Sequence, residues 1–144
     1  MIQFECKSFD ELSHLELFFM YQLRVEVFVV EQNCPYQEVD EIDLSAKHIL
    51  GKNSEGELVA YMRIYQKNTQ WYIGRVIVKK AHRTLNYGRK LVSYGLSQIP
   101  TGSFINAQAQ AYLQEFYQSF GFKPISEVYL EDNIPHIDMT FIKA

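Results

Sequence analysis

The feature of this sequence that most constrains its fold is a strand, a helix and a second strand in the middle of the chain. QWYIGRVIVKK (70–80) is rich in β-branched and aromatic residues and predicts the first strand. Apolar residues at helical spacing then predict a helix that ends at about Gln98, and SFINAQAQ (103–110) predicts the second strand. This order predicts a β-α-β crossover at the centre of a mixed α/β domain.

Further strands and helices are predicted on both sides of this crossover. Asp10 is placed to cap a helical stretch that reaches about Glu31 and is either continuous or broken in two near VEVFVVEQ. The other predicted elements are the strands IQFECK (2–7), SAKHILGK (45–52) and ELVAYMRIYQ (57–66), the helix AYLQEFYQSFGF (111–122), and a hairpin of PISEVYL (124–130) and IPHIDMTFI (134–142). This order predicts a mostly antiparallel sheet in one domain, residues 1–144.

The length and composition are those of a folded protein with a sizeable core. The chain has 144 residues, 47% of them hydrophobic, and no apolar run approaches the roughly 18–20 residues that cross a bilayer. The start, MIQFECKSFDELSH, lacks the basic and apolar pattern of a signal peptide. The two cysteines, Cys6 and Cys34, do not make a disulfide framework. We therefore expect a cytoplasmic protein that does not enter a membrane.

Charge is strongly segregated along the chain. Residues 1–57 carry 12 acidic and 4 basic side chains, whereas residues 58–114 carry 8 basic side chains and no acidic ones. Residues 115–144 carry 5 acidic and 2 basic side chains, and the net charge is −3. A carboxylate-free stretch of this length favours an anion-binding surface, with a solvated basic surface as the alternative.

The densest positive charge lies in KKAHRTLNYGRKL (79–91), which we call the basic segment. It joins the predicted strand to the predicted helix, and the first amides of a helix can bind phosphate because they have no partner within the helix. Gly88 allows a ligand to approach the backbone closely, and Asn86 tolerates left-handed dihedral angles. Because arginine and lysine side chains add full charges, the basic segment suits a pyrophosphate group.

Within this segment, RTLNYG (83–88) resembles the R-x-x-G-x-G/A motif of the Gcn5-related N-acetyltransferases (GNAT), with Asn86 in place of the first glycine. Four longer stretches resemble the ElaA-like subgroup of that family: LRVEVFVVEQNCPYQEVDEIDLSAKHI, IGRVIV, AQAQAYLQEFYQSFGF and EDNIPHI. The resemblance spans nearly the whole chain. It implies the acyl-CoA N-acyltransferase (GNAT) fold. It also implies an enzyme that moves an acetyl group from acetyl-CoA, its cosubstrate, to a primary amine of a small acceptor by direct attack in a ternary complex.

The resemblance also implies roles for individual residues. Main-chain groups of the strand VIV would bind the pantetheine arm by β-augmentation, the basic segment would bind the phosphates, and Gln110 would face the cofactor arm. The implied cofactor-binding residues are Val76, Ile77, Val78, Arg83, Asn86, Tyr87, Gly88, Arg89, Lys90 and Gln110. Tyr117 would protonate the leaving thiolate, because a phenol has a higher pKa than a thiol; packing in the core is its alternative role.

The acceptor is expected beside NCPYQEVDEID (33–43), which we call the acidic loop. Its carboxylates, with Glu31, either attract an amine or pair with Arg24, Arg63 or Arg75 to hold the loop. The predicted acceptor-binding residues are Glu31, Glu38, Asp40 and His136. The general base is left open among Glu31, Glu38, Asp40, Asp43, Glu131 and His136. We expect His48 to be structural, Cys34 not to act as a nucleophile, and no metal site, because no His/Cys spacing supports one.

Two other functions remain open from the sequence. Arg24 with Phe28, the E-x-D-x-x-D pattern at 38–43, and Arg63 resemble acyl-homoserine-lactone synthases, which share the core fold but use S-adenosylmethionine and acyl carriers. A non-catalytic CoA-binding protein is the second alternative. A nucleic-acid partner is not expected, because the pI of about 5.8 is too low for a basic binding domain. The sequence leaves the oligomeric state undetermined, with a homodimer as one arrangement.

Overall fold

The computed structural model describes residues 1–144. The strands are β1 (Ile2–Ser8), β2 (Lys47–Asn53), β3 (Leu58–Lys67), β4 (Gln70–Val78), β5 (Phe104–Gln110), β6 (Lys123–Pro124), β7 (Tyr129–Glu131) and β8 (Ile134–Ile142). The helices are α1 (His14–Val25), α2 (Ile42–Ser45), α3 (Tyr87–Ser97) and α4 (Gln114–Gln118), with a π-helix at Glu26–Glu31 and 3-10 turns at Phe9–Glu11, Lys80–Leu85 and Ala111–Leu113.

All eight strands belong to one sheet, ordered β1-β2-β3-β4-β5-β8-β6, with β7 also paired to β8. Every neighbouring pair is antiparallel except β4 and β5, which are parallel and are joined through α3. The predicted mixed α/β fold, with a mostly antiparallel sheet and a central β-α-β crossover, is confirmed.

Helices cover both faces of the sheet. On one face Leu91 of α3 packs in a buried cluster with Met62, and on the other face Leu23 of α1 packs with Tyr61. Neighbouring residues of β3 thus point to opposite faces, as the alternation of a strand requires. Helix α3 lies very close to the sheet at Gly95, where a Cβ atom would be only 2.5 Å from the Met62 Sδ atom. A glycine is needed there for this close approach.

Strand β4 is irregular around Arg75. Its register against β3 shifts between Tyr61 and Arg63, and Arg75 has a left-handed φ of 51°. A bulge of this kind increases the local twist and bends the strand. Strand β4 pairs with β5 only over Trp71–Ile73, and the two strands separate beyond that point. The second half of β4 is therefore left without a strand partner on that side.

The first helix begins at a different cap from the predicted one. Ser13, rather than Asp10, is the N-cap: its hydroxyl accepts the Glu16 amide at 3.1 Å, and the Glu16 carboxylate accepts the Ser13 amide at 2.9 Å. This reciprocal pair satisfies two amides, whereas Asp10 lies in a 3-10 turn. The β-branched stretch after α1 does not interrupt the helix, which continues to Glu31 as a π-helix.

The predicted helix 111–122 and the predicted strand 124–130 are both longer than the observed elements. The α-helix is limited to α4, which follows a 3-10 turn. Within 124–130 only Pro124 of β6 and the start of β7 are extended strand. The Ser126 hydroxyl accepts the Asp138 amide at 3.0 Å. A side chain therefore takes the place of a backbone carbonyl in the ladder and interrupts the strand.

Candidate active site

A cleft opens where β4 and β5 separate. Its volume is about 890 Å³, and its walls come from the second half of β4, the end of β5, the π-helix, α4 and the β7–β8 hairpin. Of the sequence-predicted site residues, Glu31, Asp40, Val76, Ile77, Val78, Arg83, Gly88, Gln110, Tyr117 and His136 line this cleft. The structure thus brings together residues from five parts of the chain. Asn86, Tyr87, Arg89, Lys90 and Glu38 do not line it.

One end of the cleft lies at the start of α3. Asn86 adopts a left-handed conformation with φ of 60° and places its backbone at the N-cap, but its side chain caps no amide. The Lys90 amide is bonded to the Asn86 carbonyl at 3.4 Å, so the amides of residues 87–89 precede the first such bond. The helix dipole adds partial positive charge at this position. This end of the cleft can accept an anion through its backbone.

Gly88 leaves space at this helix end. A Cβ atom at Gly88 would meet Val78 Cγ2 at 3.8 Å and Phe116 Cζ at 3.9 Å, which are ordinary contacts. The packing of the protein therefore does not require glycine at this position. Tyr87, beside it, is buried and stacks on His82 with the ring centroids 6.3 Å apart, so its side chain serves the core.

The two arginines of the basic segment already have partners. Arg83 binds both carboxylate oxygens of Glu31, at 2.6 and 2.8 Å, and its Nε donates to the Val78 carbonyl at 2.9 Å. Arg89 donates to the Ser119 hydroxyl at 2.8 Å and lies over the ring of Phe120. The side chains of both arginines are therefore fixed by contacts with other surface residues.

The pairing of Arg83 with Glu31 connects the basic segment to the end of the π-helix. The next residue, Gln32, accepts a hydrogen bond from Gln110 of β5 at 3.2 Å. Cys34 is buried and donates to the Asp132 carbonyl at 3.6 Å. The stretch 31–34 therefore contacts the basic segment, the end of β5 and the β7–β8 hairpin.

Tyr117 is placed by α4 on the face of the sheet that α3 covers. The residue is only 5% exposed and packs with Ala107, Ala109 and Phe122. Its hydroxyl makes no hydrogen bond with the protein and is not fully enclosed, so it opens into the cleft. Burial raises the pKa of Tyr117, which keeps the phenol protonated. The ring thus packs in the core, while the hydroxyl remains available as a proton donor.

The opposite face of β5 and β8 carries polar side chains into the cleft. His136 lies directly across from Gln110, and its Nδ1 donates to the Ile134 carbonyl at 2.7 Å. In the neutral imidazole this hydrogen bond leaves the lone pair on Nε2, which has no protein partner. His136 also stacks on Tyr129, with ring centroids 6.2 Å apart. The geometry presents a proton acceptor on the face opposite Tyr117.

The acidic loop forms a paired network with arginines. Arg24 is completely buried and binds Glu38 at 2.6 Å and Asp43 at 2.7 Å. Arg63 binds Asp40 at 2.7 Å and Asp43 at 3.0 Å. Although burial acts to raise it, the Arg63 guanidinium holds the pKa of Asp40 below its ordinary value. The loop carboxylates therefore make the arginine pairs of the structural alternative, and Glu38, which is buried, does not line the cleft.

His48 completes this network from β2. Its Nδ1 lies 2.6 Å from the Tyr61 hydroxyl and its Nε2 lies 2.9 Å from the Asp43 carbonyl. The neutral tautomer with a proton on Nε2 satisfies both contacts. Burial lowers the pKa of His48. The residue is fully enclosed and structural, as expected from the sequence.

Gln108 and Asp138 line the cleft but were not predicted from the sequence, and Tyr129, which lies outside the lining, connects them. The Gln108 amide donates to the Tyr129 hydroxyl at 2.7 Å, and that hydroxyl donates to Asp138 Oδ1 at 2.5 Å. Gln108 and Asp138 alternate with buried residues in NAQAQ (106–110) and PHIDM (135–139), and this alternation can be recognised in the sequence. It shows which residues share a face but not that this face lines a cleft.

None of the helices has the length and apolar character needed to cross a lipid bilayer.

Comparisons with known proteins agree with this architecture. The acetyltransferase (GNAT) domain family matches residues 12–143. The chain is 47% identical to the protein ElaA of Escherichia coli, over 96% of this chain and 95% of that one. It is 43% identical to a UPF0039 protein of Schizosaccharomyces pombe, over 96% and 95% of the two chains.

Two crystal structures are closely similar to the whole chain. The structure of Escherichia coli ElaA superposes with a TM-score of 0.91 at 46% identity, covering 98% of this chain and 99% of that one. An acyl-CoA N-acyltransferase from Pseudomonas aeruginosa gives a TM-score of 0.91 at 40% identity, with the same coverage. Family and fold together support acyltransferase activity. The chain therefore belongs to the Gcn5-related N-acetyltransferase (GNAT) superfamily, in its ElaA-like subgroup.

Proposed function

We propose that this protein is an N-acetyltransferase that moves the acetyl group of acetyl-CoA to a primary amine of a small acceptor, by direct attack in a ternary complex. The observation that carries the proposal is the cleft between the separated strands β4 and β5, which ends at the uncapped N-terminus of α3. The similarity to the acyl-CoA N-acyltransferase from Pseudomonas aeruginosa also supports it.

The residues present fit coenzyme A. The edge of β4 at Val76 and Val78 has no strand partner on the cleft side, and an extended ligand with amide groups can pair with such an edge. The amides of residues 87–89 and the open space at Gly88 suit the phosphates. Lys90 is exposed beside them and forms no ion pair, so its charge remains available to a phosphate. When bound, acetyl-CoA supplies the acetyl thioester.

Two side chains are suited to the proton transfers. As the amine nitrogen bonds to the acetyl carbon and the C–S bond breaks, one proton must leave the nitrogen and one must reach the sulfur. His136 Nε2 carries the free lone pair and accepts the first proton. The Tyr117 hydroxyl donates the second, because its raised pKa keeps it protonated until a stronger base appears. Of the carboxylates left open as bases, Asp40 and Glu31 are bound by arginines, Glu38 and Asp43 are buried against Arg24, and Glu131 lines the cleft without an ion pair.

The test measures binding and turnover separately. Calorimetric titration with acetyl-CoA should show saturable binding, and release of the CoA thiol should depend on added amine. Tyr117→Phe should lower kcat by about 100-fold, the usual size of a lost general acid, while the Kd for acetyl-CoA stays the same. The control is Tyr94→Phe, in the second half of α3, where the ring stacks on Phe4 and does not line the cleft. A fall in affinity with unchanged kcat would assign Tyr117 to packing alone.

The non-catalytic alternative gives a different result in the same experiment. A CoA-binding protein without activity would bind acetyl-CoA but release no thiol with any amine. The acyl-homoserine-lactone synthase alternative rested on Arg24 with Phe28, the acidic pattern at 38–43, and Arg63. The buried ion-pair network gives its charged residues a structural role that does not require that activity. The absence of acetyl-CoA binding would overturn the proposal itself.

A further inference from the structure

Asp138 is a carboxylate of the cleft wall with one oxygen unused. It lies across from Gln108 in the β5–β8 pairing and lines the cleft. Its Oδ1 accepts the Tyr129 hydroxyl at 2.5 Å, whereas its Oδ2 has no hydrogen bond with the protein and is not enclosed. No lysine, arginine or histidine forms an ion pair with it. The negative charge of Asp138 is therefore open to a ligand in the cleft.

The carboxylates on the opposite side of the cleft differ in this respect. Glu31 is bound to Arg83, and Asp40 is bound to Arg63. Two further unpaired carboxylates, Glu131 and Asp132, follow at the β7–β8 turn and line the same wall as Asp138. The wall formed by the hairpin therefore carries unpaired negative charge, while the acidic-loop carboxylate that lines the cleft, Asp40, is paired with Arg63. A cationic ligand group is attracted to the hairpin side.

Asp138 is also held in a fixed orientation. Tyr129 receives the Gln108 amide and donates to Asp138, so the three side chains form a short chain of hydrogen bonds. Burial, and then the bond to Asp138, raise the pKa of Tyr129 to about 12, so Tyr129 remains a donor. A carboxylate oriented in this way can position a charged group rather than merely attract it.

The group that Asp138 binds differs from the amine that reacts. A carboxylate beside the reacting nitrogen would keep that nitrogen protonated and remove its lone pair. His136, two residues away on the same face of β8, is the suitable neighbour for the reacting nitrogen. Residues two apart on a strand are separated by about 7 Å. A reacting amine at His136 therefore leaves room for a second cation at Asp138.

Aromatic side chains extend the same surface. Tyr65 and Tyr72 stack with ring centroids 5.2 Å apart and an angle of 9° between their planes, and both line the cleft with Tyr36. The Arg63 guanidinium already lies 5.7 Å from the ring centre of Tyr65, and Arg75 lies 5.5 Å from that of Tyr36, so these rings offer apolar contact for the methylene groups between two amines. We propose that the acceptor carries a second cationic group, held by Asp138 about 7 Å from the reacting amine, which makes short diamines its chemical class. This inference rests on the proposed function.

Matched pairs of amines test the inference. The probes are 1,4-diaminobutane against n-butylamine, and 1,5-diaminopentane against n-pentylamine, each with acetyl-CoA and with thiol release as the measurement. Each diamine should have a kcat/KM at least about tenfold higher than its monoamine, the effect of one charge-assisted hydrogen bond. Asp138→Asn, which keeps the size of the side chain, should raise KM for the diamine about tenfold and leave the monoamine unchanged.

Two further variants separate positioning from general electrostatics. Tyr129→Phe removes the hydroxyl that orients Asp138 and should raise the diamine KM about threefold, with kcat maintained. Glu127→Gln removes an exposed carboxylate outside the cleft and should change neither value. Equal rates for a monoamine and its diamine, no change of KM in Asp138→Asn, or no acetylation of any diamine would each overturn the inference. Failure of the proposed function would differ, because acetyl-CoA would then not bind.

Discussion

The acidic loop and the basic segment are both short, highly charged stretches, but the structure treats them in opposite ways. Three carboxylates of the acidic loop, Glu38, Asp40 and Asp43, are paired with arginines, and Glu38 and Asp43 are buried with Arg24. The basic segment stays at the surface, and its most useful groups are the backbone amides at the start of α3. The difference shows that charge density in a sequence does not by itself identify a binding surface. Partners and burial decide which charges remain for a ligand.

The largest effect should come from breaking the buried network. Arg24→Met leaves Glu38 and Asp43 enclosed without their main cation, and we expect the free energy of unfolding to fall by about 3–5 kcal/mol. Lys90→Met, in the exposed part of the basic segment, should change it by less than about 0.5 kcal/mol. Urea denaturation of both variants measures the contrast. A small loss for Arg24→Met would show that the loop is not held by this network.

The next effect concerns the basic segment and cofactor affinity. Gly88→Ala fits the fold without a clash and should stabilise α3 by about 0.5–1 kcal/mol, since glycine is a poor helix former. The added methyl group would occupy the space beside the phosphate site. We expect the Kd for acetyl-CoA to rise about tenfold, the effect of losing one charge-assisted hydrogen bond. Ser93→Ala, on the exposed side of the same helix, is the control. Unchanged affinity would place the phosphates elsewhere.

The pH dependence of stability tests the acidic loop a second time. The pKa of His48 is lowered by burial, so below its ordinary value of 6.5 the unfolded chain binds a proton that the folded protein excludes. Stability from this residue is fully present above pH 6.5 and decreases as the pH falls toward the lowered pKa. The slope should approach about 1.4 kcal/mol per pH unit. In His48→Gln the slope between pH 6.5 and 5 should be flatter, although the variant is less stable at every pH. An unchanged slope would assign the pH dependence to other groups.

The smallest effect links the two regions through Glu31 and Arg83. Glu31→Gln frees the Arg83 guanidinium at the phosphate end of the cleft, and we expect acetyl-CoA to bind about threefold more tightly, because an exposed pair is worth below about 1 kcal/mol. Stability should hardly change. Glu57→Gln breaks a similar exposed pair with Lys79 outside the cleft and should leave the Kd unchanged. Weaker binding in Glu31→Gln would mean that Arg83 needs Glu31 to hold its position.

Much of the fold followed from local patterns, whereas the details of the site depended on contacts between distant residues. The crossover 70–110 was predictable because strand and helix periodicities differ clearly there, and the left-handed conformation of Asn86 followed from its residue type. The cap at Ser13 was recognisable from its S-x-x-E spacing but was assigned to Asp10. The interruption of 124–130 was not predictable, since it depends on Ser126 meeting Asp138 across the sheet.

The same limit applies to the candidate site. The sequence indicated that Glu38, Asp40 and Asp43 were important, and left open whether they bind an acceptor or arginines. The sequence named Arg24, Arg63 and Arg75 as the arginines that could hold the loop, and the fold brings all three to these carboxylates. Asp138 was not recognised from the sequence, because a single acidic residue in a strand forms no local pattern. Its availability to a ligand depends on the absence of a nearby cation in the folded protein.

The contact of Gly95 with Met62 has a consequence at the far end of α3. Gly95 lies nine residues beyond Asn86, a distance of about 14 Å along a helix. A side chain larger than glycine at position 95 would push α3 away from the sheet. Because the helix is short and straight, this displacement would also shift its N-terminus, where the donor nucleotide is proposed to bind. Substitution of Gly95 is thus expected to change the affinity for the donor, although Gly95 does not line the cleft.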